Sequence, residues 1–236
     1  ILNADFNQHG IYFYWDGAID YINRSDYRAP TSNIFSINNH TDGIDIYVYP
    51  NVINSGYLIG GLANGFGQGT EILIAGTYTD VNGIQNHYAE SHVISHEMGH
   101  VLNLYHTHHG TYDEGGGGTK ELVDGSNSAI SGDFVTDTPA DPNIAQNINK
   151  TTCAWTKQGL LFDANNMAYN PNTHLIMSYT TPDCMEYFTP KQAERIKDAV
   201  DNFLVLQNAI IQNFLSIFGL AIPVKLSLKE NRFRHT

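Results

Sequence analysis

The chain has 236 residues, enough for one large domain or for two lobes that share a cleft, and 42% of them are hydrophobic, so a folded globular protein is expected. Acidic residues outnumber basic residues by 24 to 12, which gives a net charge of -12. Such a chain repels the phosphate backbone of a nucleic acid, so nucleic acid is not expected as a partner.

The N-terminal part of the chain is predicted to form a sheet. Residues 11–22 and 43–50 are rich in Ile, Tyr, Phe and Val, and in the second segment apolar residues recur at every second position. This pattern is typical of strands. Shorter strands are predicted at Leu58–Leu62 and Glu71–Ala75, and the region Gly56–Tyr78 is the predicted open edge of the sheet.

A helix predicted from Tyr88 to Asn103 carries His96, Glu97 and His100 in the pattern His-Glu-x-x-His. Residues four apart in a helix lie on the same face, so the two imidazoles can bind one zinc ion. Glu97 projects beside the metal, where it can act as a general base. A polar helix face without a metal is the alternative interpretation.

His106 supplies a third ligand if the helix ends before it, and catalytic zinc requires three protein ligands and one open position. Asn103 tolerates the left-handed backbone conformation that a sharp turn requires, second only to Gly. Three ligands in line on a straight helix cannot surround a tetrahedral ion, so His92 is expected to have a structural or supporting role. His108 and His109 miss the spacing, and we expect them to be exposed or in an outer position around the metal.

The C-terminal half of the chain begins with a long segment without periodicity. From Thr107 to about Asn149, Gly, Asp, Thr and Asn predominate, including the run Gly115–Gly118. Such irregular segments often carry function. A second helix is predicted near Thr189, because Thr189 as N-cap, Pro190 at the first helical position and Gln192 at the third form a capping box.

Several features indicate a secreted protein. Cys153 and Cys184 are interpreted as one disulfide formed in an oxidising compartment, with two unpaired buried thiols as the alternative. The sequence opens at Ile1 without an initiator Met or a signal-peptide pattern, so a processed chain is expected. The most apolar stretch, Phe214–Val224, is too short and too interrupted to span a bilayer.

Several separated motifs together resemble a known group of enzymes. The zinc motif, with Asn103 where most members carry Gly, resembles the extended motif of the metzincin metallopeptidases, and Leu175–Tyr179 is similar to their Met-turn. More narrowly, Asp133–Pro139 and Cys184–Arg195 resemble the pappalysin-type family of bacterial and archaeal secreted peptidases. The resemblance extends from about Leu2 to Asn208.

The resemblance implies an α/β (α+β) fold with two lobes. Residues 1–106 would form an upper lobe with a twisted, mostly parallel sheet and the zinc helix. Residues 107–205 would form an irregular lower lobe with the Met-turn and a C-terminal helix, and residues 206–236 are predicted as helix followed by an extended tail of unknown role. Since Leu2–Phe6 resembles the end of the family's first helix, the sheet is expected to be one strand short or the chain to have been cut at its start.

The resemblance also implies roles for residues that the zinc motif does not contain. Met177 would lie beneath the metal, and the Tyr179 hydroxyl would stabilise the oxyanion, although a Met or a Tyr taken alone is more often part of the core. Asp133, Asp137 and Thr138 offer oxygens for calcium, with Asx-type turns as the alternative.

Together these features predict a secreted zinc-dependent endopeptidase. Glu97 would activate the water that the metal binds, and a protein or peptide substrate would lie extended in the cleft. The alternative is a catalytically idle zinc-binding adhesion or binding module on the same fold. Hydrolysis of a non-peptide amide is a further alternative.

Overall fold

The computed structural model describes residues 1–22, 33–50, 52–54, 57–111, 119–209 and 222–230. It divides the chain into two compact units. The first unit consists of residues 1–103 and 198–236, and the second consists of residues 104–197.

The first unit contains a mainly parallel sheet, as predicted. The strands of this sheet are β1 (Ile11–Tyr21), β2 (Ile44–Tyr49), β5 (Gly61–Ala63), β6 (Glu71–Ala75) and β9 (Ile222–Glu230). Their order is β1-β9-β2-β6-β5, and all neighbouring pairs are parallel except that between β6 and β5. Every residue of β6 is buried, and β2 is buried at all but one position, so these two strands form much of the core of the unit.

Strand β9 comes from the segment after residue 206, for which the sequence predicted only an extended tail. It lies between β1 and β2 and is parallel to both, so this segment contributes an inner strand of the sheet that the sequence did not predict. Lys229 on β9 is fully buried, and its Nζ lies 3.3 Å from Asp20 Oδ2 on β1 and 3.4 Å from Asp45 Oδ1 on β2. Since a buried ammonium group requires charged partners, these contacts favour a single register for β9.

Two short antiparallel hairpins accompany the sheet. One pairs β3 (Val52–Asn54) with β4 (Tyr57–Ile59), and the other pairs β7 (Thr77–Thr79) with β8 (Gln85–His87). The single strand predicted at Leu58–Leu62 is therefore divided at Gly60 between β4 and β5. A Cβ at Gly60 would lie 3.0 Å from the ring of Tyr88, closer than most Cβ contacts, so the absence of a side chain at Gly60 relieves a tight approach to that ring.

The described helices are α1 (Leu2–Phe6), α2 (Val93–Val101), α3 (Pro190–Asn202) and α4 (Leu204–Asn208). Helix α2 begins five residues later than predicted, because a 3-10 turn is followed by extended backbone at Ser91. The predicted capping box of α3 is confirmed: the Thr189 N–H donates to Gln192 Oε1 at 2.9 Å, and the Gln192 N–H donates to Thr189 Oγ1 at 3.1 Å.

The second unit is irregular, as predicted. Between α2 and the 3-10 turn Pro182–Cys184, its described residues form turns and isolated bridges rather than helices or strands. A core cluster consists of Ala140, Ile144, Trp155 and Tyr169, and the predicted disulfide between Cys153 and Cys184 is present.

Two predictions concern segments that lie wholly or mostly outside the described residues. They are the glycine run at 115–118 and most of the apolar stretch at 214–224. Among the helices that the structure does describe, none combines the length and the hydropathy that crossing a bilayer requires.

Candidate metal centre

Helix α2 presents the candidate zinc ligands from a buried position. His96, Glu97 and His100 are each only 6–7% exposed. Its N-terminal end is held by Asp5 of α1, which accepts hydrogen bonds from Ser95 Oγ at 2.5 Å and from the ring of His92 at 2.9 Å. His92 therefore ties α1 to α2.

The end of α2 follows the turn that the sequence predicts. Asn103 adopts a left-handed conformation with φ of 73°, and its N–H donates to the His100 carbonyl at 2.9 Å. A second donor comes from the loop after β5, where the Gly67 N–H lies 3.3 Å from the His100 carbonyl and 3.1 Å from that of Val101. These bonds satisfy carbonyls that a helix end otherwise leaves unpaired. The loop after β5 thereby supports the residue that carries a candidate ligand.

The structure brings the three predicted ligands together. Nitrogen atoms of His96, His100 and His106 all lie within 4.8 Å of one another, and all three side chains are buried. Zinc binds His nitrogen at about 2.0–2.1 Å, so ligand atoms on opposite sides of one ion are at most about 4.2 Å apart. The three imidazoles therefore fit a single zinc ion with small ring movements.

Glu97 lies against strand β5 in the first unit. Burial raises the pKa of this carboxyl to about 8, and a hydrogen bond from the Ala63 backbone N–H partly opposes that rise. Gly61, two positions before Ala63 on β5, also faces Glu97, and a Cβ at Gly61 would lie 2.5 Å from Glu97 Cγ.

Tyr179 and Met177 of the second unit lie beside the third candidate ligand. The Tyr179 ring centroid is 4.4 Å from that of His106, and Tyr179 is 38% exposed. Met177 is fully buried, and its carbonyl accepts the N–H of Thr107 at 3.0 Å. The Met-turn is thereby attached to the residue that follows His106.

Asp141 strengthens this attachment, although the sequence did not single it out. Its Oδ2 accepts hydrogen bonds from Thr107 Oγ1 at 2.6 Å and from Ser178 Oγ at 2.7 Å, and the residue is only 2% exposed. One buried carboxylate oxygen thus joins the chain after His106 to the Met-turn. No local pattern identifies such a residue, because its two partners are 34 and 37 positions away.

Of the two alternatives expected for His108 and His109, exposure to solvent is wrong, whereas an outer position beside a candidate ligand agrees with the place of His108. His108 is fully buried and its ring stacks on that of His106 with centroids 4.9 Å apart, and His109 is 9% exposed. The reason is a tight turn after the third ligand, in which the His109 N–H donates to the His106 carbonyl at 3.0 Å. His108 therefore supports the ring of a candidate ligand.

The three residues predicted for calcium do not form one cluster of free oxygens. Both carboxylate oxygens of Asp137 accept hydrogen bonds at the start of α3, from Thr189 Oγ1 and the Lys191 N–H, so this residue caps the helix. Thr138 Oγ1 donates to Asp133 Oδ1 at 2.9 Å. Asp137 therefore fits the alternative interpretation, in which its carboxylate forms local hydrogen bonds rather than binding calcium.

Glu121 and Asp133 instead offer buried oxygens without a hydrogen-bond partner. These atoms are Glu121 Oε2 and Asp133 Oδ2, and the residues are 3% and 1% exposed. Burial raises the pKa of Glu121 to about 8, with smaller contributions from the charges of Asp133 and Asp141. Burial likewise raises the pKa of Asp133 to about 7. Glu121 could not be recognised from the sequence, because it stands 12 positions before Asp133 in an irregular segment.

Comparisons with known proteins agree with this geometry. The family model Peptidase_M43, described as pregnancy-associated plasma protein-A, matches residues 67–201, more than half of the chain. Extracellular metalloproteases of Arthroderma benhamiae and Trichophyton verrucosum are each 26% identical over 115 residues, which cover 49% of this chain and 31% of theirs. The match thus spans less than a third of the length of these curated relatives.

A similar solved structure is mature mirolysin of Tannerella forsythia in complex with a cleaved peptide. It is 21% identical to this chain, with coverage of 70% of this chain and 55% of mirolysin and a TM-score of 0.44. The range that the family model matches contains the three clustered histidines, Glu97 and the Met-turn. The chain therefore belongs to the pappalysin-type family of metallopeptidases.

Proposed function

We propose that the protein is a secreted zinc endopeptidase in which Glu97 is the general base. The observation that carries the proposal is the convergence of three buried imidazoles. Two of them, those of His96 and His100, lie on α2 together with the buried carboxylate of Glu97. Three neutral nitrogen ligands leave one position of a tetrahedral zinc ion for water, which suits catalysis better than a structural site. Secretion is supported by the disulfide and by the extracellular relatives.

The chemistry divides between the metal and the protein. His96, His100 and His106 would hold the zinc ion, which would supply a bound water of lowered pKa and a Lewis acid for the peptide carbonyl. Glu97 accepts a proton from the water and returns it to the leaving amine, because it is the carboxylate adjacent to the first ligand on α2. The Tyr179 hydroxyl donates a hydrogen bond to the developing oxyanion, a role supported by the partial exposure of this side chain and its contact with His106.

We propose further that the peptide substrate binds as an added strand on β5. This strand is last in the order of the sheet and antiparallel to its neighbour β6. Leu62 is opposite Leu73, and the backbone groups of Gly61 and the Ala63 carbonyl are directed away from β6, whereas the Ala63 N–H is used by Glu97. Main-chain pairing of this kind binds peptides with little dependence on their sequence.

A calcium site in the second unit is supported by the buried oxygens of Glu121 and Asp133. Calcium is bound by carboxylate and carbonyl oxygens, and a cation would neutralise two carboxylates that otherwise repel each other. Thr138 Oγ1, which donates to Asp133 Oδ1, also lies 2.8 Å from the Val135 carbonyl oxygen, so two further oxygens are close to the Asp133 carboxylate. We therefore assign calcium to Glu121, Asp133 and Thr138 rather than to Asp137.

The test combines metal analysis with cleavage of a peptide library by the wild type and by Glu97→Gln. The amide keeps an oxygen that can accept the Ala63 N–H, so the variant should fold and bind one zinc ion while kcat falls by a factor of about a thousand or more. Glu186→Gln is the matched control, because that side chain is 59% exposed. Zinc binding by the wild type without any cleavage would favour the idle binding module, and cleavage by Glu97→Gln would contradict the role of the base.

A further inference from the structure

Strand β5 approaches Glu97 so closely that a side chain at one of its residues would displace the Glu97 side chain. A Cβ at Gly61 would lie 2.5 Å from Glu97 Cγ and 2.6 Å from Oε1, and real Cβ contacts below 3.0 Å are essentially never observed. Gly61 is not among the glycines with positive φ, so its backbone conformation does not require glycine. The space taken by the Glu97 carboxylate explains this residue.

The pairing of β5 leaves a backbone donor for the same carboxylate. The Asn64 N–H donates to the backbone carbonyl of Glu71 on β6, and the Ala75 N–H on β6 donates to the Gly60 carbonyl. Because backbone groups alternate in direction along an antiparallel strand, those of Gly61 and Ala63 are directed away from β6. The Ala63 N–H donates to the Glu97 carboxylate, which is 7% exposed and needs such a donor.

We propose that β5 is a positioning element for the general base, in which Gly61 provides the space for the Glu97 carboxylate and Ala63 provides its backbone donor. This inference rests on the proposed function, and it adds a role for residues outside the zinc motif. Proton transfer depends on the position of the base, and a displacement of about 1 Å can cost a factor of about a hundred in rate. Gly61 is thus a positioning residue that does not itself contact the reacting atoms.

The kinetic test is the variant Gly61→Ala. Its methyl group meets the flexible end of Glu97 rather than backbone, so the protein should fold and the carboxylate should move. We expect kcat to fall by a factor of about ten to a hundred, with zinc content unchanged and a smaller change in KM. A change in KM alone, or wild-type kcat, would overturn the proposal.

Gly83→Ala is the control for a general loss of stability. Gly83 lies in the turn between β7 and β8 with φ of 79° and has no atom within 4 Å of a built Cβ. An alanine there strains the backbone without reaching Glu97, so it should lower Tm and leave kcat unchanged. Equal losses of kcat in Gly61→Ala and Gly83→Ala would mean that β5 does not position the base.

A double-mutant cycle on the metal-free protein tests the contact without any activity assay. Gly61→Ala should lower Tm when Glu97 is present, because the two side chains compete for the same space. In a Glu97→Ala background the same change should leave Tm unchanged or raise it, since alanine orders a strand at a lower entropic cost than glycine. An equal loss of Tm in both backgrounds would overturn the inference. If the wild type cleaves no peptide, the proposed function fails, and the cycle alone decides whether β5 holds Glu97.

Discussion

Replacement of Asp141 by alanine should destabilise the protein and weaken zinc binding together. Asp141 Oδ2 accepts two short hydrogen bonds from buried hydroxyl groups, those of Thr107 and Ser178. Hydrogen bonds to a charged group contribute about 1.5–3 kcal/mol each, so the loss of both should lower the free energy of unfolding by about 3–6 kcal/mol. Thr107 follows His106 directly, so the third ligand should also lose its fixed position.

The measurement is urea unfolding of the metal-free protein, together with zinc competition against a chelating dye. We expect a lower midpoint with an unchanged m-value and a loss of zinc affinity of about tenfold or more. Asp183→Ala is the control, because that residue is exposed and in the same unit. An Asp141→Ala protein within about 1 kcal/mol of the wild type would refute the reasoning, since two buried charge-assisted bonds cannot be lost at so small a cost.

Two further predictions concern backbone geometry and pH. Asn103→Ala should destabilise the protein by about 1–2 kcal/mol in urea unfolding because φ is 73°, whereas Asn103→Gly should be tolerated, and equal losses would show that the left-handed turn is not the cause. In the metal-free protein the pKa of Glu121 is raised from 4.5 to about 8. Between these two pH values the folded state binds more protons than the unfolded state, so Tm should fall as the pH rises from 4.5 to about 8. Calcium should oppose that fall by stabilising the ionised carboxylates, and Glu121→Gln should remove most of the calcium effect, whereas an unchanged response to calcium in this variant would contradict the proposed ligand set.

Local patterns predicted the elements that carry the ligands. The spacing of His96 and His100 reflects the helical repeat, and the turn at Asn103 reflects the tolerance of Asn for a left-handed conformation. The capping box at Thr189 is equally local, since donors and acceptors lie within three residues. Such features depend on a few neighbouring residues, so they can be read from the sequence.

Strand β9 shows why other parts of the fold could not be read in this way. Its position between β1 and β2 depends on pairs that are about 180 to 210 residues apart, such as Lys229 with Asp45 and with Asp20. The sequence predicted an extended segment there, but no local pattern selects its neighbours in a sheet. The same limit applies to Asp141, whose hydrogen-bond partners Thr107 and Ser178 are 34 and 37 positions away in an irregular unit.

The sequence by itself predicted the candidate metal ligands and the proposed base, because both predictions follow from the geometry of one helix and the turn that ends it. Only the tertiary structure decided which groups support those residues: β5 contacts Glu97, and Asp141 accepts a hydrogen bond from Thr107, the residue that follows His106. The physical reason is that supporting contacts are made through space between chemically ordinary residues. A glycine or a buried aspartate acquires its role from what packs against it.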